Sequence, residues 1–262
     1  MKIITFLSDF GNNSSYVSQM KGVALSITEA NLVDITHEIR PHDIRQGAFI
    51  LQTSIPYFPK GTVHVAVVDP EVGTNRRGIV VTTRTQILIG PDNGLLIPAA
   101  RNLGDFCVYE IKNPDFMLSN ISNTFHGRDI FTPVAARILN GIAFDQIGPK
   151  ITDFINLDFG KYEINDKYAT GNVINTDRFG NIITNIDGNK LRKVLDYDKK
   201  ILLFINNQNI SIPFVKSYNF VKLGELLSTI GSSNLFEIAI NQKNASDKLK
   251  IKPGDEIKIL FN

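Results

Sequence analysis

The segment Lys2–Ile27, KIITFLSDFGNNSSYVSQMKGVALSI, has the pattern of a buried strand followed by a helix. Its first part, Lys2–Leu7, is an almost continuous apolar run, which is typical of a strand covered on both faces. A polar turn, Ser8–Gly11, follows this run. Four apolar residues then recur at helical spacing: Val17, Met20, Ala24 and Ile27. The segment therefore predicts the first β–α unit of an α/β domain.

The same alternation continues to about residue 153. Strand-like runs follow at Asn31–Ile35, Thr62–Val68, Gly78–Thr82, Gln86–Ile89 and Phe106–Ile111. Helical patterns lie between Ile44 and Ile55 and over Ile130–Leu139, the second with Asp129 as its predicted N-cap. Interleaved strands and helices predict an α/β N-terminal domain with a mostly parallel central sheet flanked by helices.

The pattern changes after residue 153, where short β-rich segments are separated by Asn, Asp, Gly and Pro. These segments are Gly171–Asn175, Asn181–Ile186, Ile201–Phe204, Ile210–Phe214, Leu235–Ile240 and Glu256–Phe261. Such spacing predicts a smaller all-β, barrel-like C-terminal domain. We therefore expect domains at 1–153 and 168–262, joined by a linker at 154–167.

Composition narrows the class of protein. The 262 residues are 43% hydrophobic and 21% charged, and the formal net charge of +2 is too small to indicate nucleic-acid binding. A single cysteine, Cys107, excludes an internal disulfide framework. Neither a signal peptide nor an apolar run of roughly 18 residues, as a membrane span needs, is visible in the sequence. We expect a cytoplasmic protein that binds neither nucleic acid nor membrane.

Three strand-like runs end in an aspartate: Asp9, Asp69 and Asp92. In an open parallel sheet, ligands bind beyond the carboxyl ends of the strands. Aspartate is common in turns, so each residue alone has an ordinary structural explanation. Together, at one edge of one sheet, the three carboxylates predict a functional site.

The loop within VVDPEVGTNRRGIVV, Val67–Val81, carries Asp69 and two adjacent arginines. His126 lies in a second loop, TFHGRDIF, that leads into a predicted helix. A carboxylate, the Arg76 guanidinium and an imidazole in one crevice would hold and polarise a water molecule. Arg77 is expected to be solvated or to pair with a surface carboxylate.

Other common site signatures are missing from the sequence. It contains no G-x-x-x-x-G-K-[ST], G-x-G-x-x-G, H-E-x-x-H, C-x-x-C or G-x-S-x-G motif. His37 and His42 lie near Asp34 and Asp43, but their spacing matches no closed zinc pattern. His64 lies inside a predicted strand and is interpreted as a packing residue.

Eight segments, in order along nearly the whole chain, carry a resemblance to a known family. They are LSDFG, SYVSQMKG, DITHEI, VHVAVVDPEVGTNRRGI, IGPDNGLL, FHGRDIF, DRFGNIITNI and EIAINQKNA. The sequence resembles the S-adenosylmethionine hydroxide adenosyltransferases, also called S-adenosyl-L-methionine hydrolases (adenosine-forming), which are relatives of the fluorinase and chlorinase.

The resemblance implies attack of water or hydroxide on the ribose C5′ of S-adenosylmethionine, with no cofactor and no metal. The family's Asp-Arg-His triad matches the catalytic candidates Asp69, Arg76 and His126. The sulfonium leaves as a neutral group, so the site has to supply a water held in line with the C5′–S bond. Because a guanidinium stabilises the charge of its partner carboxylate, Asp69 is expected to position the water more than to remove its proton.

The resemblance also implies the contacts with substrate. Asp9 would bind the ribose hydroxyls, Asp177 the methionine ammonium and Ser232 the methionine carboxylate. The nucleoside contacts would come from Phe179, Asn181, Asn241 and Gln242. The halide enzymes carry Ser-Arg where this chain has Ser232-Ser233. The family further implies a homotrimer with sites between subunits.

Three alternatives stay open at this point. The first is a halide-dependent adenosyl transferase of the same family. The second is a metal-dependent phosphohydrolase that uses Asp9, Asp69, Asp92 and His126 as ligands. The third is a non-catalytic module that binds adenosine or S-adenosylmethionine.

Overall fold

The computed structural model describes residues 1–206 and 208–261, and the chain forms two compact units, Met1–Asp158 and Phe159–Asn262. The division falls inside the segment 154–167 that the sequence assigns to a linker. Asn207 and Asn262, which belong to the predicted domain 168–262, lie outside the described residues.

A sheet of seven strands, counted over the described residues, organises the first unit. The strands are β1 (Ile3–Ser8), β2 (Asn31–Thr36), β3 (Val63–Val67), β4 (Gly78–Thr83), β5 (Ile87–Pro91), β6 (Phe106–Glu110) and β7 (Lys150–Ile151). Their order is β2-β1-β3-β5-β4-β6-β7, and the first four are parallel to one another. The α/β prediction for this half of the chain is confirmed.

The other edge of this sheet is antiparallel. β4 pairs antiparallel with β5 and β6, and β7 pairs antiparallel with β6. A tight turn joins β4 to β5, with the Thr83 amide donating to the Gln86 carbonyl at 3.0 Å. So short a connection allows only antiparallel pairing, because parallel strands need a long crossover.

Helices cover both faces of the sheet. They are α1 (Tyr16–Ile27), α2 (Ile44–Ser54), α3 (Ile97–Asn102), α4 (Thr132–Leu139) and α5 (Phe144–Ile147). Phe6 shares a buried cluster with Met20 of α1 and Val134 of α4. The next residue, Leu7, points to the opposite face, where it lies close to Gly47 of α2.

A π-helical turn over Gly127–Phe131 precedes α4, so the predicted role of Asp129 as N-cap is wrong. Asp129 is fully buried inside this turn. Its carboxylate accepts from the Ser122 amide at 2.8 Å and pairs with Arg128 Nε at 2.6 Å. π-Helical turns often mark functional sites, and this one directly follows His126.

The second unit is a closed barrel of seven strands among the described residues. The elements are β8 (Glu163–Ile164), β9 (Tyr168–Thr176), β10 (Ile182–Asp187), α6 (Gly188–Leu191), β11 (Lys199–Ile205), β12 (Gln208–Phe214), β13 (Leu226–Ile230), β14 (Leu235–Ile240), α7 (Ala245–Leu249) and β15 (Glu256–Phe261). The order β10-β14-β13-β12-β11-β15-β9 closes through a β9–β10 pairing, and β8 extends β9. The barrel prediction is confirmed.

One barrel strand, β13, escaped the sequence analysis. Two of its five residues, Ser228 and Thr229, are polar yet buried. The run therefore lacks the apolar signal of its neighbours, although Ser228 Oγ donates to the Pro213 carbonyl at 3.1 Å and is satisfied there.

Within the ranges 1–206 and 208–261, every helix is too short or too polar to cross a lipid bilayer.

Candidate active site

The sheet topology brings the three strand-ending aspartates to one edge. β1, β3 and β5 are neighbouring parallel strands, and Ser8 lies opposite Val67 in the β1–β3 register. Asp9, Asp69 and Asp92 follow these strands directly or within two residues. Their polypeptide segments therefore leave the sheet side by side, at the edge where open α/β sheets bind ligands.

Asp69 and Arg76 form a closely bonded pair. Arg76 Nε lies 2.9 Å and 3.0 Å from the two carboxylate oxygens of Asp69, and Arg76 Nη2 also donates to Asp69 Oδ2. The Arg76 guanidinium lies over the Phe131 ring, 5.2 Å from its centroid. The two charged side chains are only 5% and 4% exposed, so water screens their attraction weakly.

His126 completes the group. Arg76 Nη2 lies 2.8 Å from His126 Nδ1. A guanidinium has donors but no acceptor, so Nδ1 must accept this bond and the proton of the neutral ring lies on Nε2. Burial lowers the pKa of His126, and the positive charge of Arg76 lowers it further. The structure thus joins the three residues that the sequence selected and keeps the imidazole neutral at pH 7.

A close approach of two loops makes this geometry possible. Gly73 has φ +79°, and a Cβ there would lie 2.1 Å from the Asn123 carbonyl oxygen. Only glycine fits such a contact without moving the backbone. The loop from Asp69 to Arg76 therefore packs directly against the loop that leads to His126.

The adjacent Arg77 binds a different carboxylate from the one Arg76 holds. Its Nε donates to Asp92 Oδ2 at 2.9 Å, while Asp92 Oδ1 accepts from the Ile155 amide at 2.8 Å. Its Nη1 lies 3.1 Å from the exposed Asp153 carboxylate. The expected surface partner is present as Asp153, whereas the buried partner Asp92 was not predicted from the sequence. The Asp92 carboxylate thus connects the end of β5 to residues 153–155, directly through the Ile155 amide and indirectly through Arg77.

Asp9 occupies a half-buried position after β1. Its Oδ2 accepts from the His42 amide at 2.9 Å, and His42 adopts φ 67°. The carboxylate is thereby oriented by the backbone that follows β2.

The second unit contains a separate pocket of about 630 Å³, a volume within the range of small-molecule sites. It is lined by five of the predicted residues, Asp177, Phe179, Asn181, Asn241 and Gln242, together with Tyr218. The Phe179 ring is 77% exposed, which is unusual for so large an apolar side chain. An aromatic surface beside amide and carboxylate groups suits a nucleoside-like ligand.

Asp177 organises one wall of this pocket. Its Oδ1 accepts from the amides of Phe179 and Asn181, both at 2.9 Å, and its Oδ2 accepts from Asn181 Nδ2 at 2.9 Å. Gly180, between them, has φ +82°, and a Cβ there would overlap Asn244. The loop is therefore built around the Asp177 carboxylate.

Tyr218 and Glu237 are residues that the sequence analysis missed. The Tyr218 hydroxyl donates to Glu237 Oε1 at 2.7 Å, and Glu237 is 6% exposed. Burial, together with this bond, raises the pKa of Tyr218, and burial with the nearby Asp177 charge raises the pKa of Glu237. A Glu between apolar residues in a predicted strand, LFEIAI, was the available signal.

Ser232, the remaining predicted residue of this unit, is not one of the residues that line the pocket. It is exposed in the turn between β13 and β14. Its neighbour Gly231 lies against the Glu237 carboxylate, where a Cβ would come within 2.4 Å of Oε2.

Among residues 1–206 and 208–261, no cluster of three or more His, Cys, Asp or Glu side chains has the arrangement of a metal site. Of the ligands that the phosphohydrolase alternative would use, Asp69 and His126 bind Arg76, and Asp92 binds Arg77. A cation would have to compete with a guanidinium at each of these positions.

Comparisons with known proteins agree with this division of the chain. Residues 4–148 match the family model for the SAM hydroxide adenosyltransferase N-terminal domain, and residues 171–258 match the model for its C-terminal domain. A protein of Methanocaldococcus jannaschii named (R)-S-adenosyl-L-methionine hydrolase is 39% identical, over 100% of this chain and 97% of its own length.

Two further matches are a solved structure and a more distant enzyme. The crystal structure of an uncharacterized conserved protein from Thermotoga maritima superposes with a TM-score of 0.92 and 37% identity, over 98% of this chain and 99% of that chain. A fluorinase of Nocardia brasiliensis is more distant, at 25% identity over 98% of this chain and 96% of its own. The chain therefore belongs to the SAM hydroxide adenosyltransferase family.

Proposed function

We propose that this protein hydrolyses S-adenosyl-L-methionine to adenosine and L-methionine. The observation that carries the proposal is the Arg76 guanidinium, which binds both Asp69 and His126 at the carboxyl edge of the sheet. Membership of the family and the hydrolase names of its relatives at 32–39% identity support the same reaction.

In the proposed reaction, a water molecule held at Asp69 attacks the ribose C5′ in line with the C5′–S bond, from roughly 3–3.5 Å. The water oxygen bonds to C5′ while the C5′–S bond breaks, and sulfur keeps the electron pair. The neutral thioether leaves without protonation, and the water proton passes to Asp69 or to solvent. Because Arg76 holds the Asp69 carboxylate from one side, the main role of Asp69 is to orient the water.

We assign the substrate contacts as the resemblance to the family implies. Asp9 accepts bonds from the ribose hydroxyls, and Asp177 pairs with the methionine ammonium. Ser232 donates to the methionine carboxylate. The adenine ring packs on Phe179, while Asn181 and the backbone at Asn241 and Gln242 bind its polar edge. Tyr218 adds a second aromatic wall to the pocket that holds Phe179.

We further propose a cytoplasmic homotrimer with each site formed between two subunits. In such a ring, the Asp69 face of one subunit meets the Asp177 pocket of its neighbour. Asp69→Asn and Asp177→Asn proteins would each be inactive alone. Random 1:1 mixed trimers would regain about a quarter of the wild-type activity, since a quarter of the sites would combine two intact faces. Mixed trimers without any recovered activity would contradict sites between subunits.

We propose that neither a metal nor a cofactor takes part. Treatment with EDTA, followed by buffer exchange, should leave the rate of adenosine release unchanged. A loss of activity that Mg²⁺, Mn²⁺ or Zn²⁺ restores would favour the phosphohydrolase alternative instead.

The decisive experiment is incubation with S-adenosyl-L-methionine in ¹⁸O-labelled water, with and without chloride or fluoride. We expect ¹⁸O in the 5′-hydroxyl of adenosine in every sample. A 5′-halogenated adenosine would favour the halide-dependent transferase of the same family. Saturable binding without any product would favour the non-catalytic binding module.

A further inference from the structure

A buried histidine holds the chain on both sides of Asp9. His37 Nδ1 lies 2.7 Å from Ser8 Oγ, and the His37 carbonyl accepts from the Gly11 amide at 2.8 Å. His37 is 2% exposed and Ser8 is fully buried. The residue just before Asp9 and the residue two positions after it are therefore fixed to the same partner.

The Ser8 hydroxyl is itself part of the turn. The Phe10 amide donates to Ser8 Oγ at 3.3 Å, so the hydroxyl links His37 to the backbone immediately after Asp9. The hydroxyl has one proton and accepts here from Phe10, which leaves its proton for His37 Nδ1 or an acceptor position for an Nδ1 proton. With either tautomer of His37, the Ser8 hydroxyl therefore connects the His37 ring to the Phe10 amide next to Asp9.

The far side of the His37 ring is also constrained. His37 Nε2 lies 3.0 Å from Asp34 Oδ1, an ion-pair distance without good hydrogen-bond direction. Lys21 Nζ lies 2.6 Å from the other oxygen of Asp34, and these interactions lower the pKa of Asp34 although its partial burial raises it. The ring is therefore held between β1 and β2.

The same segment supplies a direct contact to the carboxylate, because the His42 amide donates to Asp9 Oδ2 at 2.9 Å. His42 lies five positions after His37 in the sequence, and both residues act on the turn that presents Asp9. The segment DITHEIRPHD, which matches no metal-binding pattern, thus supplies contacts to the Asp9 carboxylate and to the turn that carries it.

We propose that the His37 side chain is a positioning residue for Asp9, acting through the Ser8 hydroxyl, while the His37 main-chain carbonyl holds the Gly11 amide independently of the side chain. The proposal rests on the proposed role of Asp9 in binding the ribose hydroxyls. A carboxylate accepts two hydroxyl hydrogen bonds well only when both donor distances stay near 2.7 Å, so a small displacement of the turn weakens both. His37 thereby sets selectivity for ribose without touching the substrate.

His64 provides a matched control within the same sheet. Its Nδ1 lies 2.7 Å from Thr5 Oγ1, another buried hydroxyl of β1. Both histidines are thus buried rings bonded to a β1 hydroxyl over the same distance. His64, however, contacts the strand interior four residues before Asp9.

The test compares the affinity of the full-length protein for adenosine with its affinity for 2′,3′-dideoxyadenosine, measured by calorimetry. The Kd for 2′,3′-dideoxyadenosine divided by the Kd for adenosine is a ratio that reports the ribose hydroxyl contacts alone. We expect Asp9→Asn to reduce the ratio at least tenfold and His37→Ala to reduce it about tenfold. His37→Asn, which returns a polar group near the Nδ1 position, should recover part of the ratio. His64→Ala should leave it within twofold of wild type.

Thermal unfolding of the same proteins separates positioning from general destabilisation. A lower Tm for both His→Ala variants, with the ratio reduced only in His37→Ala, supports the proposal. A wild-type ratio in His37→Ala overturns it. If that variant does not fold, Ser8→Ala removes the hydroxyl link with little change of volume and must show the same reduced ratio. A ratio insensitive to Asp9→Asn overturns the proposed role of Asp9 as well, so the two failures are distinguishable.

Discussion

Arg76 and Arg77 are neighbours in sequence, and each binds an aspartate that follows a parallel strand. Arg76 binds Asp69 after β3, and Arg77 binds Asp92 after β5. The two carboxylates are almost equally buried, with 4% and 2% of the side chain exposed. In the position and burial of their carboxylates, the two ion pairs are alike.

The remaining partners separate the two pairs. Arg76 also donates to the His126 imidazole, which belongs to a loop with a π-helical turn. Arg77 binds Asp153, and Asp92 also accepts from the Ile155 amide, so this pair secures the end of the α/β unit. An ion pair becomes a candidate catalytic group when a third chemically active residue joins it. Otherwise, it serves to hold the backbone.

The largest expected difference between the pairs lies in turnover. Asp69→Asn should lower kcat about 10³-fold, because a residue that orients or deprotonates the attacking water typically contributes 10²–10⁴-fold. This loss corresponds to about 4 kcal/mol in the activation barrier. Adenosine release at saturating S-adenosyl-L-methionine measures it. Asp92→Asn is the matched control and should keep kcat within about threefold, and equal losses in both variants would erase the distinction.

A second difference should appear when each arginine is replaced by lysine. Arg76→Lys should lower kcat about 10²-fold, because an ammonium cannot bind the Asp69 carboxylate sideways and reach His126 at the same time. Arg77→Lys should change kcat less than threefold. The same assay compares them, with circular dichroism to show that both proteins are folded. A near-normal kcat in Arg76→Lys would mean that a positive charge at position 76 supports turnover without the geometry of the guanidinium.

Stability should also differ between the pairs, by a smaller amount. Asp69→Asn leaves the Arg76 charge almost fully buried and should lower the free energy of unfolding by about 3 kcal/mol. Asp92→Asn should cost only about 1–2 kcal/mol, because Arg77 is 26% exposed and keeps Asp153. Urea denaturation measures both values. A larger loss of unfolding free energy for Asp92→Asn would show that the Arg77–Asp92 pair contributes more to stability than the Arg76–Asp69 pair.

The smallest expected effect is on the titration of His126. The pKa of His126 is lowered by burial first and by the Arg76 charge second, so Arg76→Gln should raise it and leave the effect of burial in place. The wild-type imidazole should stay neutral as the pH falls through 6.5, its ordinary pKa, and the variant should gain its proton at a higher pH. Imidazole NMR signals report both titrations. Arg77→Gln should leave His126 unchanged, and an equal shift there would mean that the interaction with Arg76 is not specific.

Local patterns were sufficient for much of the fold. Runs such as Lys2–Leu7 predicted strands of the α/β unit, and the change of pattern after residue 153 predicted the barrel. The antiparallel edge beyond β5 and the strand β13 were not predicted. The first depends on a turn only a few residues long, and the second on buried Ser228 and Thr229, whose polarity hides their burial.

The candidate site was predictable where its residues end strands. Asp9 and Asp69 were selected because parallel strands share a carboxyl edge, and the order β1-β3-β5 places them there. Tyr218 and Glu237 were not predicted because they lie 19 positions apart in the sequence and meet only in the folded unit. The position of the Tyr218 ring and the direction of its hydroxyl depend on this tertiary contact with Glu237, not on the local sequence.

The sequence by itself determined the fold class of each half of the chain, most of its strands and the aspartates at the strand ends, since periodicity and turn chemistry act over a few neighbouring residues. Only the tertiary structure decided that Arg77 binds the buried Asp92, and how Arg76 contacts Asp69 and His126 together. Arg76 reaches His126 from 50 positions away, and Arg77 reaches Asp153 from 76. Such pairings depend on which loops pack together, as at Gly73 and Asn123, and that packing follows from the whole sheet.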